Sequence, residues 1–133
     1  MKRFKSILVV CQQDSQPELA IERARLLATQ NGASVTLVDV VNLPETDIEA
    51  AMSDPTGRTP HDMKSQLSEY HQGCLNEYEQ MLIGSGIETS TRVFWGVAFV
   101  EIIRAVLRDG HDLVIKAINP NQTFRGHLSL IHI

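Results

Sequence analysis

Apolar residues recur along this chain with two different periods, and the switches between them mark out its elements. The densest stretch runs from Arg92 to Pro120, RVFWGVAFVEIIRAVLRDGHDLVIKAINP. Residues 91–95 are β-branched and aromatic, as a half-buried strand prefers. Gly96 breaks that run. Phe99, Ile102, Ile103, Val106 and Leu107 then fall at helical spacing and predict one apolar stripe. Asp109-Gly110 closes the helix, because a glycine in the left-handed conformation lets the chain turn while the last carbonyls stay bonded. Residues 113–118 form a short apolar run, expected of a parallel strand covered on both faces. Strand, helix and strand in this order make a right-handed βαβ unit.

The rest of the chain extends the alternation. Residues 4–10 predict a first strand, and residues 11–16 the loop at its carboxyl end. Ser15 is placed to cap the next helix, with Glu18 completing a capping box. Leu19, Ala20, Ala24, Leu27 and Ala28 give that helix a narrow apolar face, and Asn31-Gly32 ends it. Residues 35–41 form a second strand with Asp39 near its carboxyl end. Residues 44–60 read as loop, with room for one helical turn at residues 48–52. Met63, Leu67, Tyr70, Cys74, Tyr78 and Met81 are spaced by three and four, a long amphipathic helix that stops at Gly84-Ser-Gly86. Residues 87–95 give the third strand. Strands alternating with helices predict a three-layer α/β domain around an open parallel sheet. Its strand order should be 3-2-1-4, with the chain reversing its direction of growth after the third strand. Ligands of such sheets bind outside the carboxyl ends of the strands. Here the crevice would bring residues 11–13 close to residues 118–119.

Composition narrows the classes. The chain has 133 residues, enough for one domain with a real core. Its formal charge of −4 argues against binding nucleic acid through the phosphate backbone, which needs a basic face. Cys11 and Cys74 sit in different elements and form no CxxC, so a reducing cytoplasm is the expected compartment. The apolar run after MKRFK is too short for a signal peptide, and no stretch approaches the roughly 20 apolar residues of a membrane span. We expect a cytoplasmic domain with no membrane or nucleic-acid partner.

The candidate chemistry is sparse. His71 and Cys74 lie three apart on one helix and could offer two ligands to zinc, but a structural site needs about four, and Cys74 also falls on the apolar stripe. No metal is expected. His111-Asp112 could act as an acid–base pair, yet it precedes the fourth strand at the end away from the crevice, where a turn and strand-entry role fits better. Asp39 is better placed but has no evident partner. Lys116 is a charge inside an apolar strand, able to reach an anion in the crevice or to snorkel to the sheet edge. Trp95 could stack on a ligand or cap the sheet. The Asn121-Gln-Thr123 sequon has no meaning in a cytosolic chain. No Ser/His/Asp or Cys/His set has a context for nucleophilic catalysis, so no enzyme is expected. The crevice candidates are Gln12, Asp39, Lys116 and Asn119.

FKSILVVC, VTLVDVV, GIETSTRVFWG and EIIRAVLRDGHDLVIK together resemble the universal stress protein family. The last segment is especially similar to the first half of the tandem two-domain, E-type members, where a lysine likewise follows the fourth strand. The resemblance covers residues from about 4 to 126. It implies a Rossmann-like, adenine nucleotide alpha hydrolase-like fold of five strands and four helices, a role in general stress response, and pairing with a second such domain in tandem or as a homodimer. Members that bind ATP carry an Asp after the first strand and a glycine-rich stretch after the fourth. This chain has Gln12 at the first place, with Asp14 two residues late. At the second it has Pro120, which lacks an N–H, and a lone Gly126. The implied function is a non-enzymatic association or regulatory module with a degenerate nucleotide site and no ATP cofactor; the alternative is an ATP-, nucleotide- or small-anion-binding module of the same fold.

The family's final helix and strand are due after residue 127 and do not appear. Residues 128–133, LSLIHI, are also what a transposon mosaic end used in library preparation encodes. We therefore expect an incomplete domain over residues 1–127 and a non-native tail over residues 128–133, the alternative being a genuine short apolar tail that forms a final strand. The edge of the fourth strand should then lie uncovered, with Leu113 or Ile115 partly open to water.

Overall fold

The computed structural model describes residues 4–11, 17–41, 60–117 and 128–132. The elements run β1 (Ser6–Val10), α1 (Glu18–Asn31), β2 (Ser34–Val41), α2 (Pro60–Glu79, continued by a 3-10 turn at Gln80–Leu82), β3 (Thr89–Trp95), α3 (Ala98–Asp109), β4 (Leu113–Ala117) and β5 (Leu128–His132). The sheet order is β3-β2-β1-β4-β5. Its first four strands are parallel and follow the 3-2-1-4 order expected from the alternation of elements. Gly32 and Gly110 end α1 and α3 in the left-handed conformation, at φ 64° and 74°, as their positions foretell. The Ser15 cap, the 44–60 loop (up to residue 59) and the approach of residues 11–13 to 118–119 involve residues outside those described.

β5 departs from expectation. Residues 128–132 pair antiparallel with β4, from Leu113 opposite His132 to Ala117 opposite Leu128, so that edge is covered. Residues 118–127 are fewer than the dozen or more that a parallel crossover needs, whereas an antiparallel return needs no crossover.

Side chains alternate across the sheet and divide the core in two. On one face Ile7, Val9, Cys11, Val35, Leu37, Leu113 and Ile115 pack under α1 and α2. On the other, Leu8, Val10, Val38 and Val114 pack under α3. Leu113 and Ile115 are therefore buried rather than open to water, because they face α1. The contact face of α1 is Ala20, Ile21, Ala24 and Ala28, whose three alanines let the helix lie close to the sheet. Leu19, expected on that face, is exposed.

The other two helices are rotated relative to the stripes their apolar residues suggest. On α2, Tyr70 is exposed, as is Met81 in the turn that continues it, while Leu75 and Leu82 are buried. On α3, Ala105 is buried with Ile102 and Val106 beside it, whereas Phe99, Ile103 and Leu107 face outward.

Candidate functional site

The carboxyl ends of β2 and β3 meet α2 through a seam of polar side chains. Ser68, His71 and Gln72 fall within one turn of the helix and so project to one side. The indole N–H of Trp95 donates to Ser68 Oγ at 2.9 Å. Nδ1 of His71 donates to Oδ2 of Asp39 at 2.5 Å. Nε2 of Gln72 donates to Oγ1 of Thr91 at 2.7 Å. Lys64, a turn before Ser68, sets its ammonium 5.1 Å from the centre of the Trp95 ring. One face of that ring thus meets a cation, and its polar edge is bonded.

Asp39 is 3% exposed, so its carboxylate requires a partner within the protein, and His71 supplies one. The carboxylate fixes the tautomer with the proton on Nδ1 and leaves Nε2 as the basic nitrogen. Ser68, the serine nearest to His71 on the same helix, accepts from Trp95. Cys11 ends β1 on the same face; its N–H bonds Val38 O at 2.7 Å and carries the β1–β2 ladder one residue further. Burial, reinforced by the charge of Asp39, pushes the Cys11 thiol far up. It stays protonated, and a thiol is a poor nucleophile. The pairing of Asp39 with His71 went unseen in the sequence, where each was read without the other. The available signal was Asp39 itself, an acid inside an otherwise apolar strand.

Lys116 lies elsewhere. It follows Ile115 in β4, so it shares the α3 face with Val114 and Val10, while Asp39 shares the α1 and α2 face with Leu37. The sheet separates the two, and they do not line one pocket. Among the described residues Lys116 makes no ion pair. Gln12 and Asn119 lie outside the described residues.

Among the described residues no three His, Cys, Asp or Glu side chains gather as a metal site around His71 and Cys74 or elsewhere. His111 and Asp112 lash the start of β1. Asp112 accepts from the N–H groups of Lys5 at 2.8 Å and Ser6 at 3.2 Å. The buried His111 ring meets Ser6 Oγ through Nδ1 at 2.8 Å. This is the strand-entry role that their position suggests. Two surface hollows, of about 640 and 340 Å³, open around Gly86 and Ile87 at the amino end of β3, opposite the polar seam. Among the described residues no helix is long and apolar enough to cross a membrane.

Matched against known protein families, residues 3–129 fit the universal stress protein family. Comparison with curated protein sequences gives no match. Among solved structures, a protein of the universal stress protein family from Burkholderia pseudomallei overlays with a TM-score of 0.67 at 19% identity, covering 86% of this chain and 81% of that one. Universal stress protein UspA from Lactobacillus plantarum gives 0.68 at 17%, covering 92% and 84%. A universal stress protein solved in complex with cAMP gives 0.55 at 12%, covering 84% and 70%. At such identities these structures speak for a shared fold. The family match spans nearly the whole sequence, and this chain belongs to the universal stress protein family.

Proposed function

We propose that the chain is a non-enzymatic association and regulatory module of the general stress response, with a degenerate nucleotide site. The observation that carries this reading is the commitment of Asp39 to His71 on the sheet face away from Lys116. The acid and the base that could have defined a crevice do not act together, and the Cys11 thiol on the Asp39 side of the sheet is held protonated. Gln12 and Pro120, standing where ATP-binding relatives have Asp and a glycine-rich stretch, support it from sequence.

The partner is a second universal stress protein domain, in tandem or as a homodimer; GHDLVIK with its Lys116 favours the E-type tandem branch. The domain is cytoplasmic, with no nucleic-acid or membrane partner. The function is tested by calorimetry and thermal melting with ATP. No binding tighter than about millimolar is expected, since a ligand held by the folded state alone raises the melting midpoint with concentration. A micromolar constant sinks the reading.

A second reading, binding of a nucleotide or small anion, draws on the relative solved with cAMP and on half-buried Lys116. It requires that ATP or cAMP stabilise the protein and that Lys116→Ala abolish the effect.

A further inference from the structure

The two hollows at the amino end of β3, of about 640 and 340 Å³, share Gly86 and Ile87 as a common rim. Small-molecule sites occupy about 300–1,000 Å³. Each hydroxyl lining these hollows already donates its proton to a backbone carbonyl. Thr29 Oγ1 donates to Arg25 O at 2.8 Å and Thr89 Oγ1 to Ile87 O at 3.2 Å. Ser85 Oγ donates to Leu82 O, and Ser34 Oγ, more loosely, to Lys5 O at 3.5 Å. A hydroxyl has one proton and two lone pairs, so all four present only acceptors to a ligand. The other polar side chains are carboxylates, the half-buried Glu79 in the larger hollow and the exposed Glu88 in the smaller. Among the described residues neither makes an ion pair, and no Lys, Arg or His lines either hollow.

We propose that the two hollows together bind an aliphatic polyamine, a methylene chain with an ammonium group at each end. Side chains that only accept select a ligand that only donates, and uncompensated carboxylates select a cation. One carboxylate stands in each hollow, so the ligand's two charges must be held apart. Between them the lining turns apolar: Ile87 is shared, and Ile83, 65% exposed, lines the larger hollow. Such a stretch suits methylenes and gives a hydrated metal ion nothing to bond. At Gly86 a Cβ would meet nothing within 4 Å, so the rim that a chain must cross is open. The hollows lie at the opposite end of the sheet from the carboxyl-end crevice. This binding therefore stands apart from the nucleotide readings above, and adds a small-molecule input to the module.

The full chain is tested by calorimetry with α,ω-diaminoalkanes of increasing length, with butylamine and magnesium ions as controls, at about 50 mM salt to limit screening. Diamine binding of about millimolar strength or tighter is expected. Its affinity should peak at one chain length, because two fixed carboxylates define a span that the linker must match. Butylamine and magnesium should bind more weakly. Glu79→Gln and Glu88→Gln should each weaken the best diamine about threefold or more, as loss of one exposed ion pair can. Both should leave the melting midpoint of the unliganded protein unchanged. In a nuclear magnetic resonance titration the amides of Gly32, Gly84 and Gly86 should shift, and the Trp95 indole N–H should not. Affinity that climbs steadily with chain length, or that magnesium matches, is general adsorption and overturns the site. Binding that survives in the double Gln variant overturns it too. An oligolysine peptide that binds where every diamine fails makes the hollows a docking face for a basic protein, and the polyamine site is then wrong.

Discussion

His71 Nδ1 lies 2.5 Å from Asp39 Oδ2, joining α2 to β2 through a pair in which the carboxylate is almost shut off from water. Hydrogen bonds to charged groups contribute about 1.5–3 kcal/mol. His71→Ala and Asp39→Ala should each destabilise the fold by about that much in urea unfolding. The double variant should lose less than the sum, leaving a coupling of about 1 kcal/mol or more. Strict additivity would mean that the two side chains do not interact in solution.

Gly96 and Gly73 should respond oppositely to alanine. Gly96, between β3 and α3, has φ 142°, and a Cβ there would sit 2.8 Å from Oε1 of Glu101. The Glu101 side chain can swing aside, but the backbone strain cannot be relieved, so Gly96→Ala should cost about 1–3 kcal/mol. Adding Glu101→Ala should recover a minor part. Gly73 lies inside α2 with nothing within 4 Å of a new Cβ. Gly73→Ala should therefore stabilise by about 0.5–1 kcal/mol. Equal responses in chemical denaturation would contradict the two backbone assignments.

Stability should fall as the pH drops from 7.5 to 5.5. Burial holds the His111 imidazole below its usual range, against the weaker upward pull of Asp109 and Asp112, while Arg108 and Arg92 push it further down. In acid the unfolded chain takes up a proton near the ordinary histidine value of about 6.5, and the folded ring resists it. The stability is thus full above that value and is lost as the pH falls below it. Asp109, held low by Arg108, titrates outside this window. Denaturation at both pH values should show a shallower decline in His111→Gln; an identical decline would remove His111 as a cause.

Much of the frame was legible in the sequence because its signals are local. The short apolar strands, the glycine stops at Gly32 and Gly110 and the reversal after β3 need no knowledge of partners. The rotation of α2 was not legible, since an apolar count favours Tyr70 and Met81 while the docked side carries Ser68, His71 and Gln72. On α3 five large apolar residues span an arc too wide for periodicity to decide which part meets the sheet. The site suffered for a related reason. Asp39 and Lys116 both lie toward the carboxyl ends of their strands, and only the strand register reveals that they face opposite ways. The pairing of residues 128–132 depends on the edge β4 offers, which those residues do not encode alone.

The polar seam also sets how α2 can leave. Its docking rests on Leu75, on Leu82 in the following turn, on the partly buried Tyr78 and on the hydrogen bonds of the seam, whereas α1 seats four fully buried residues. With fewer fully buried residues than α1, α2 should lift more readily than α1 while the sheet stays closed. Its amide hydrogens should exchange through that local opening, well ahead of those in α1 and β1. Access to Asp39 is then intermittent: the buried carboxylate meets solvent when the leaf lifts, and a molecule that captured it would hold the protein in its opened form.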